Sequence, residues 1–398
     1  MAQDEVAGGS GVTAPARRFR GGFRGGFRGG FRAWRNRLIA SQRFQSWASR
    51  FPLTRGHARR EGEALFDLVS GFVYSQVLFA LVELELPEAL MEAPKGAAAL
   101  GAKHGIAPER MAVLLDAAVS LKLLERVGEG YQTSARGAAL VGVPGLTGMI
   151  RHHDVFYRDL GDPLALLRGE ADTELARFWP YVFGAAGAVD PEVTARYSAL
   201  MEESQGLVAE ETLRAVRLTG VGRLMDVGGG TGAFLRAVGA AYPDAKLDLF
   251  DLPPVVEVAR RRFAEEGFAV GPEGRVSLHP GSFRDDPLPA GADAVSLVRV
   301  LYDHADETVA ALLAKVFAAL PPGGRVIVSE PMAGGARPQP AGNAYFGLYC
   351  MAMRTGRARS AAEIGAMLRA AGFAEIATPP TRRAFLTSVI TAVRPVAR

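Results

Sequence analysis

Two spacings of apolar residues run along the chain. Between residues 61 and 142 they recur three and four apart: Leu65, Phe66, Val69, Phe72, Val73 and Val77 mark a helix. Residues 96–106 predict a short helix and turn, and Pro108-Glu109-Arg110 starts another helix that runs to Leu124. Glu125-Arg126-Val127 and Tyr131-Gln132-Thr133 then read as two short strands around Gly128 and Gly130. Helix, turn, helix and hairpin is a winged-helix layout. Residues 111–124 carry only Asp116 and Lys122, so this helix is not built to read a DNA groove and suits dimerisation or packing. Residues 143–205 continue as helices rich in aromatics, among them Phe156, Tyr157, Phe178, Trp179, Tyr181, Phe183 and Tyr197.

From Glu210 onward strands and helices alternate. Strands are predicted at 222–227, 246–250, 275–278, 293–301, 325–330, 373–377 and 384–393, with helices between most of them. That alternation implies an α/β domain, a mostly parallel sheet with helices on both faces. The last long strand has no helix after it and is expected to be antiparallel. The reading divides the chain into a tail over 1–60, a helical and winged-helix region over 61–205, and the α/β domain over 206–398.

The N-terminal region breaks both patterns. Residues 19–32 repeat Phe-Arg-Gly-Gly, and residues 6–60 hold thirteen arginines with no lysine and no acid. Without those thirteen charges the net +4 becomes −9, so the basic character belongs to the tail. Such a segment buries no core and is expected to be disordered. Three partners compete: none, an anionic membrane surface met by arginines interleaved with Phe and Trp, and RNA met by phosphate contacts and stacking, which the acidic body makes the weakest. Residues 34–53, with Trp34, Leu38, Ile39, Phe44, Trp47 and Phe51, could add a short interfacial helix. The chain starts with no apolar leader, and the apolar run over 72–82 is about half of the ~20 residues a spanning helix needs. A cytoplasmic protein, not secreted, is expected, with peripheral contact to the inner or photosynthetic membrane as an option. One cysteine, Cys350, excludes an intrachain disulfide framework, and six histidines show no metal-ligand spacing, so no metal is expected.

Candidate chemistry concentrates in Asp226-Val227-Gly228-Gly229-Gly230-Thr231-Gly232, with Asp251 at the end of the next strand. Strand, glycine turn and helix form a nucleoside-cofactor loop, Gly228 and Gly230 admitting the ligand and Asp251 gripping ribose hydroxyls. Gly228-x-Gly230-x-x-Ala233 also satisfies the dinucleotide pattern. Asp226 argues against it, because a carboxylate before the loop repels a pyrophosphate and suits S-adenosylmethionine, which carries an ammonium and a sulfonium.

Further motifs follow in order: Phe250-Asp251-Leu252-Pro253, Gly281-Ser282-Phe283, Arg299-Val300-Leu301-Tyr302-Asp303, Val328-Ser329-Glu330-Pro331, Arg359-Ser360 and Ala371-Gly372-Phe373. The series resembles the caffeate and acetylserotonin type of small-molecule O-methyltransferases over about residues 65–395. Trp34-Arg35-Asn36-Arg37-Leu38, Phe51-Pro52-Leu53-Thr54-Arg55 and Ala64-Leu65-Phe66-Asp67-Leu68-Val69 resemble its carotenoid-methylating branch from phototrophic bacteria. The resemblance implies a class I methyltransferase fold behind a winged-helix dimerisation domain, a homodimer, and S-adenosylmethionine as methyl donor. It implies the tertiary 1-hydroxyl of an apolar acyclic carotenoid as acceptor. Asp226, Gly228, Gly230, Asp251, Ser282, Phe283 and Arg299 would then hold the cofactor.

The departures bear on the chemistry. Relatives that methylate phenols have Leu-His-Asp-Trp with the histidine as base; here Leu301-Tyr302-Asp303-His304 puts Tyr302 in the base position. Glu330 matches the first of two flanking glutamates, Ala358 replaces the second, and Ser282 replaces the acidic residue near adenine. A phenol ionises near pH 10; a tertiary alcohol is far less acidic. Attack by the neutral hydroxyl is expected, with positioning and desolvation dominant and the proton leaving late. Tyr302 would hold the hydroxyl, and His304, or His152 and His153, would take the proton. Phe156, Tyr157, Met201 and Met351 are candidates for an apolar substrate wall. The plainer readings are that His304 caps a helix start, that His152 and His153 lie at the surface, and that the aromatics are core. Rival functions are methylation of a phenolic or polyketide metabolite, and a non-catalytic cofactor-binding module with an RNA-binding Arg-Gly-Gly tail.

Overall fold

A computed structural model describes residues 23–178 and 191–396, with side chains from 30 to 177, at 202 and from 204 to 396. Residues 1–22 and 179–190, with Trp179, Tyr181 and Phe183, lie outside the described residues, as do the side chains of Phe178, Tyr197 and Met201. The chain forms two compact units, residues 1–76 and 77–398.

In the first unit the expectation of disorder is corrected for residues 23 onward. Helices cover Phe23–Ala40 and Gln42–Arg50, and a third, Arg55–Glu83, crosses the unit boundary. Ser41 caps the second helix by accepting the Phe44 N–H, and the Trp47 and Phe51 rings stack at 4.9 Å. Helical spacing, not burial, organises this segment: Phe31, Trp34, Ile39, Trp47, Leu53 and Phe66 are all exposed. The helix Arg55–Glu83 is long and apolar enough to cross a membrane by length and composition alone. The run over 72–82 underestimated it, because the helix extends the apolar stretch backward through Leu65 and Phe66.

The second unit begins with the predicted helix–helix–hairpin. Helices Ala97–His104 and Pro108–Ser120 lead into strands β1 (Leu124–Val127) and β2 (Gly130–Thr133), paired antiparallel. Leu81, Leu86, Leu100, Met111, Leu115, Leu124 and Ile150 form its core. Helix Leu146–Asp159 follows, then Pro191–Ala215, which runs unbroken through the expected boundary at 205/206.

A seven-stranded sheet carries the rest: β3 (Arg223–Val227), β4 (Lys246–Asp251), β5 (Val276–Pro280), β6 (Ala294–Val298), β7 (Arg325–Glu330), β8 (Ala374–Ala377) and β9 (Ser388–Val393). Their order is β5-β4-β3-β6-β7-β9-β8, with β9 antiparallel to both neighbours and the first five strands parallel. Both faces are covered, so alternate residues reach different cores. Met225, Val227, Val295, Leu297, Val326 and Val328 pack with Val309, Leu312 and Leu313 of helix Asp306–Ala319. Leu224, Leu247, Leu249, Val298 and Ile327 pack on the other face with Val208, Phe234, Leu235 and Phe263. The strand order reverses between β3 and β6, which places a crevice beyond their carboxyl ends.

Candidate functional site

The crevice is built from the segments that leave those strand ends. After β3 the chain turns through Gly228, at φ +68°, and Gly230, at φ +59°, both in the left-handed region that favours glycine. Gly228 N–H donates to Phe250 O at 2.8 Å. A Cβ on Gly230 would meet nothing within 4 Å, so the loop borders open space there. Asp251, at the end of β4, closes the loop: one carboxylate oxygen accepts Gly230 N–H and the other accepts Leu252 N–H, both at 2.7 Å. Burial raises its pKa to about 6 against the pull of those two bonds. The cleft is lined by Gly228, Gly230, Asp251, Leu252 and Val255 on this side, and by Gly281, Ser282, Phe283, Arg284, Arg299, Val300, Asp303 and His304 on the other.

That second wall depends on the turn after β6. The strand was expected to reach residue 301; it ends at Val298 because Arg299 adopts φ +58° and turns the chain into a single helical turn, Leu301–Asp303. Buried Glu330 at the end of β7 fixes the turn, accepting the N–H groups of Val300, Leu301 and Tyr302 at 2.9, 2.7 and 3.3 Å. The buried Arg359 guanidinium donates to the carbonyls of Leu301 and His304 at 2.7 and 2.8 Å. Thr355 Oγ1 donates to Asp303 O and Cys350 Sγ to Tyr302 O. Burial pushes the Glu330 pKa up to about 7.

The structure thus brings together Gly228, Gly230, Asp251, Ser282, Phe283, Arg299 and His304 of the expected residues. It places three others elsewhere. Asp226 lies against Gly229 of the loop, does not line the cleft, and accepts from Ser296 Oγ at 2.6 Å; burial raises its pKa to about 7. Glu330 is a clamp on backbone, not a partner of a base. Tyr302 is buried with its ring edge-on to Phe346 at 5.8 Å, and its side chain hydrogen-bonds to Asp303.

The histidines are poor proton acceptors. Nδ1 of His304 accepts from the Arg284 guanidinium at 3.0 Å, and burial together with Arg284 and Arg359 lowers its pKa to about 3. His152 is buried, not at the surface, and pairs with the Tyr349 hydroxyl at 2.8 Å; burial and His153 lower its pKa to about 4. His153 pairs with the Tyr345 hydroxyl at 2.7 Å, and burial lowers its pKa too. These pairs belong to an aromatic cluster in which Phe156 meets Tyr349 at 5.2 Å, Tyr345 meets Phe346 at 4.9 Å, and Phe346 reaches Tyr302. Tyr157 packs on His153 and Phe79. Met351 is exposed and contributes no ring contact. Sequence reasoning passed over Asp303, Arg284, Leu252 and Val255 in the cleft, and Tyr345, Phe346 and Tyr349 in the cluster; the last three stand at helical spacing, the one signal that could have found them.

Donors, acceptors and apolar faces here suit a nucleoside-bearing cation: a glycine cradle, the Asp251 carboxylate, and Leu252, Val255 and Phe283 for a base. No group of three or more His, Cys, Asp or Glu among the described residues is placed to hold a metal ion. Residues 157–374 match the O-methyltransferase domain and residues 66–142 the O-methyltransferase dimerisation domain. This chain belongs to the S-adenosylmethionine-dependent O-methyltransferases. Demethylspheroidene O-methyltransferase of Cereibacter sphaeroides is 60% identical over 360 residues, covering 90% of this chain and 94% of that one. Its namesake from Rhodobacter capsulatus is 53% identical over 358 residues, covering 90% and 88%. Human N-acetylserotonin methyltransferase, solved in complex with S-adenosylmethionine, superposes with a TM-score of 0.71 at 27% identity over 84% of this chain and 98% of its own. The family's dimerisation domain supports a homodimer, and the exposed apolar residues Phe66, Val69, Phe72 and Val73 fall within it.

Proposed function

We propose that this O-methyltransferase methylates the tertiary 1-hydroxyl of an acyclic carotenoid, in carotenoid biosynthesis. The observation that carries the reading is the 60% identity, across nine-tenths of both chains, with an enzyme named for demethylspheroidene. The site's chemistry is consistent with it. Tyr302 stands where a phenol-type base is expected, and each histidine in or near the cleft is held at low basicity. The aromatic cluster offers an apolar wall for a polyene. S-adenosylmethionine supplies an electrophilic methyl group when bound. Gly228, Gly230 and Asp251 bind its nucleoside part, and the clamped turn 299–304 orients the acceptor beside it. The proposed chemistry uses no metal.

The test is incubation of the purified protein with S-adenosylmethionine and a 1-hydroxy acyclic carotenoid, read by mass. A gain of one methyl group is expected. Methylation of a phenolic acceptor with none of the carotenoid would replace this reading by the phenolic or polyketide one.

A peripheral position on the cytoplasmic face of the inner or photosynthetic membrane belongs to the same proposal. It is supported by exposed Phe31, Trp34, Ile39, Trp47 and Leu53 interleaved with Arg32, Arg35, Arg37, Arg43 and Arg50. The substrate is itself lipid-soluble. Flotation with anionic vesicles should fall with added salt, and fall again in a Trp34→Ala, Trp47→Ala double variant. Equal flotation of variant and wild type would leave the segment without a membrane role.

A further inference from the structure

Around the turn 299–304 the protein satisfies its polar groups closely. Glu330 accepts three backbone N–H groups, and Arg359, Cys350 and Thr355 donate to the carbonyls of residues 301–304. One oxygen breaks the pattern. Among the described residues that line the cleft, Asp303 alone has a buried side-chain atom, Oδ1, with no hydrogen-bond partner. Asp226 Oδ2, under the glycine loop, is also unpartnered, but Asp226 does not line the cleft. An unpartnered buried oxygen in the cleft wall calls for an explanation, and a proton acceptor awaiting its donor is one.

We infer that Asp303 takes the proton of the acceptor hydroxyl, with Tyr302 as the residue that positions its carboxylate. The inference rests on the reading of an alcohol acceptor given above. In the step, the hydroxyl oxygen forms the new O–C bond as the C–S bond of the donor breaks, the electron pair stays on sulfur, and the hydroxyl proton passes to Asp303. A sulfonium and a carboxylate become a thioether and a carboxylic acid, so that pair of opposite charges is neutralised together.

The surroundings of Asp303 favour this acceptor over the histidines. Burial, and then the Glu330 carboxylate, raise its proton affinity well above the usual carboxylate range, opposed by Arg299 and by the hydrogen bond with Tyr302. Buried Cys350, whose own pKa Asp303 helps to raise, completes the titratable groups close to it, with His304 next in the chain held neutral against Arg284. A cation bound in the cleft stabilises the carboxylate by Coulomb attraction. Consuming the cation returns Asp303 to a high proton affinity as the late proton of a weakly acidic alcohol departs.

Asp303→Asn, made in the full chain, keeps the side chain's shape and cannot accept the proton. Turnover of a 1-hydroxy acyclic carotenoid should fall at least about 100-fold, with S-adenosylmethionine affinity within about fivefold. Asp303→Glu should recover part of the loss. Independently, calorimetry at pH 7 in two buffers of different ionisation enthalpy counts protons released on binding. Wild type should release more with cationic S-adenosylmethionine than with neutral S-adenosylhomocysteine, because the cation deprotonates Asp303. The excess should vanish in the Asn variant, whereas an excess that came from Asp226, Asp251 or Glu330 would remain in it. Turnover of Asp303→Asn within threefold of wild type, or equal proton counts for the two ligands in wild type, would overturn the inference. Equal counts in wild type overturn the inference even where the variant does not fold. Failure of wild type to methylate the carotenoid would count against the acceptor's identity alone, since the proton count involves no acceptor.

Discussion

Glu330→Gln should change how stability depends on pH. In the wild type, burial lifts the Glu330 pKa from 4.5 to about 7. The folded state therefore binds this proton more tightly than the unfolded chain. Stability from that preference is fully present below pH 4.5 and is lost as pH rises through 7. Each tenfold change in proton affinity is about 1.4 kcal/mol, so Glu330 should cost the fold about 2–3 kcal/mol between pH 5 and pH 8. Glutamine keeps an acceptor oxygen for Val300 and Leu301 N–H and does not titrate. It also removes the charge that raises Asp303, which acts in the same direction. Urea midpoints followed by circular dichroism at pH 5, 6, 7 and 8 should show the variant gaining on wild type by that amount. Parallel curves would refute the reasoning. Glu330→Ala has the opposite use: it orphans two well-bonded buried N–H groups, at about 1–3 kcal/mol each, and should be destabilised at every pH.

Three further changes bear on the cleft and the loop. Asp251→Ala loses the acceptor for Gly230 and Leu252 N–H and should weaken S-adenosylmethionine binding at least about tenfold, ~1.4 kcal/mol; unchanged affinity by calorimetry in a folded variant would remove Asp251 from the site. Tyr302→Phe keeps the ring against Phe346 and deletes the hydroxyl that bonds to Asp303. Turnover should fall by about one to three decades, ~1.4–4 kcal/mol of barrier, with donor affinity little changed; full activity would end its positioning role. Gly232→Ala forces a side chain at φ +82° with its Cβ 2.5 Å from the Phe263 ring and should lower stability by about 2–4 kcal/mol; an unchanged urea midpoint would show that the ring yields freely.

Along the chain itself, apolar spacing, glycines and carboxylates determined a good deal. The consecutive apolar residues of β3, β4 and β7, such as Val326-Ile327-Val328, and the helices between strands specify a doubly covered parallel sheet, since no other arrangement buries both sets of alternate residues. The glycines at 228 and 230 with Asp251 specify a nucleoside loop, because chain geometry alone brings one strand end to the next. The first helices, Phe23–Ala40 and Gln42–Arg50, were obscured by glycine and arginine, residues whose composition signals disorder while their aromatic spacing still permits helix.

What only the tertiary structure decided is which polar groups find partners. Asp226, Glu330 and Asp303 are equally carboxylates in the sequence. The fold places the first under a loop with one oxygen on Ser296 and the other unpartnered, gives the second three backbone donors, and leaves one oxygen of the third without a partner in the cleft wall itself. His304 reads as a base until Arg284, twenty residues earlier, is brought onto its Nδ1. Proton affinity depends on desolvation and on charges a few ångströms away. Those neighbours come from the loop between β5 and β6, from β6, from β7 and from the segment 350–359, far apart along the chain, so the order of residues could name the groups and only their packing could assign their roles.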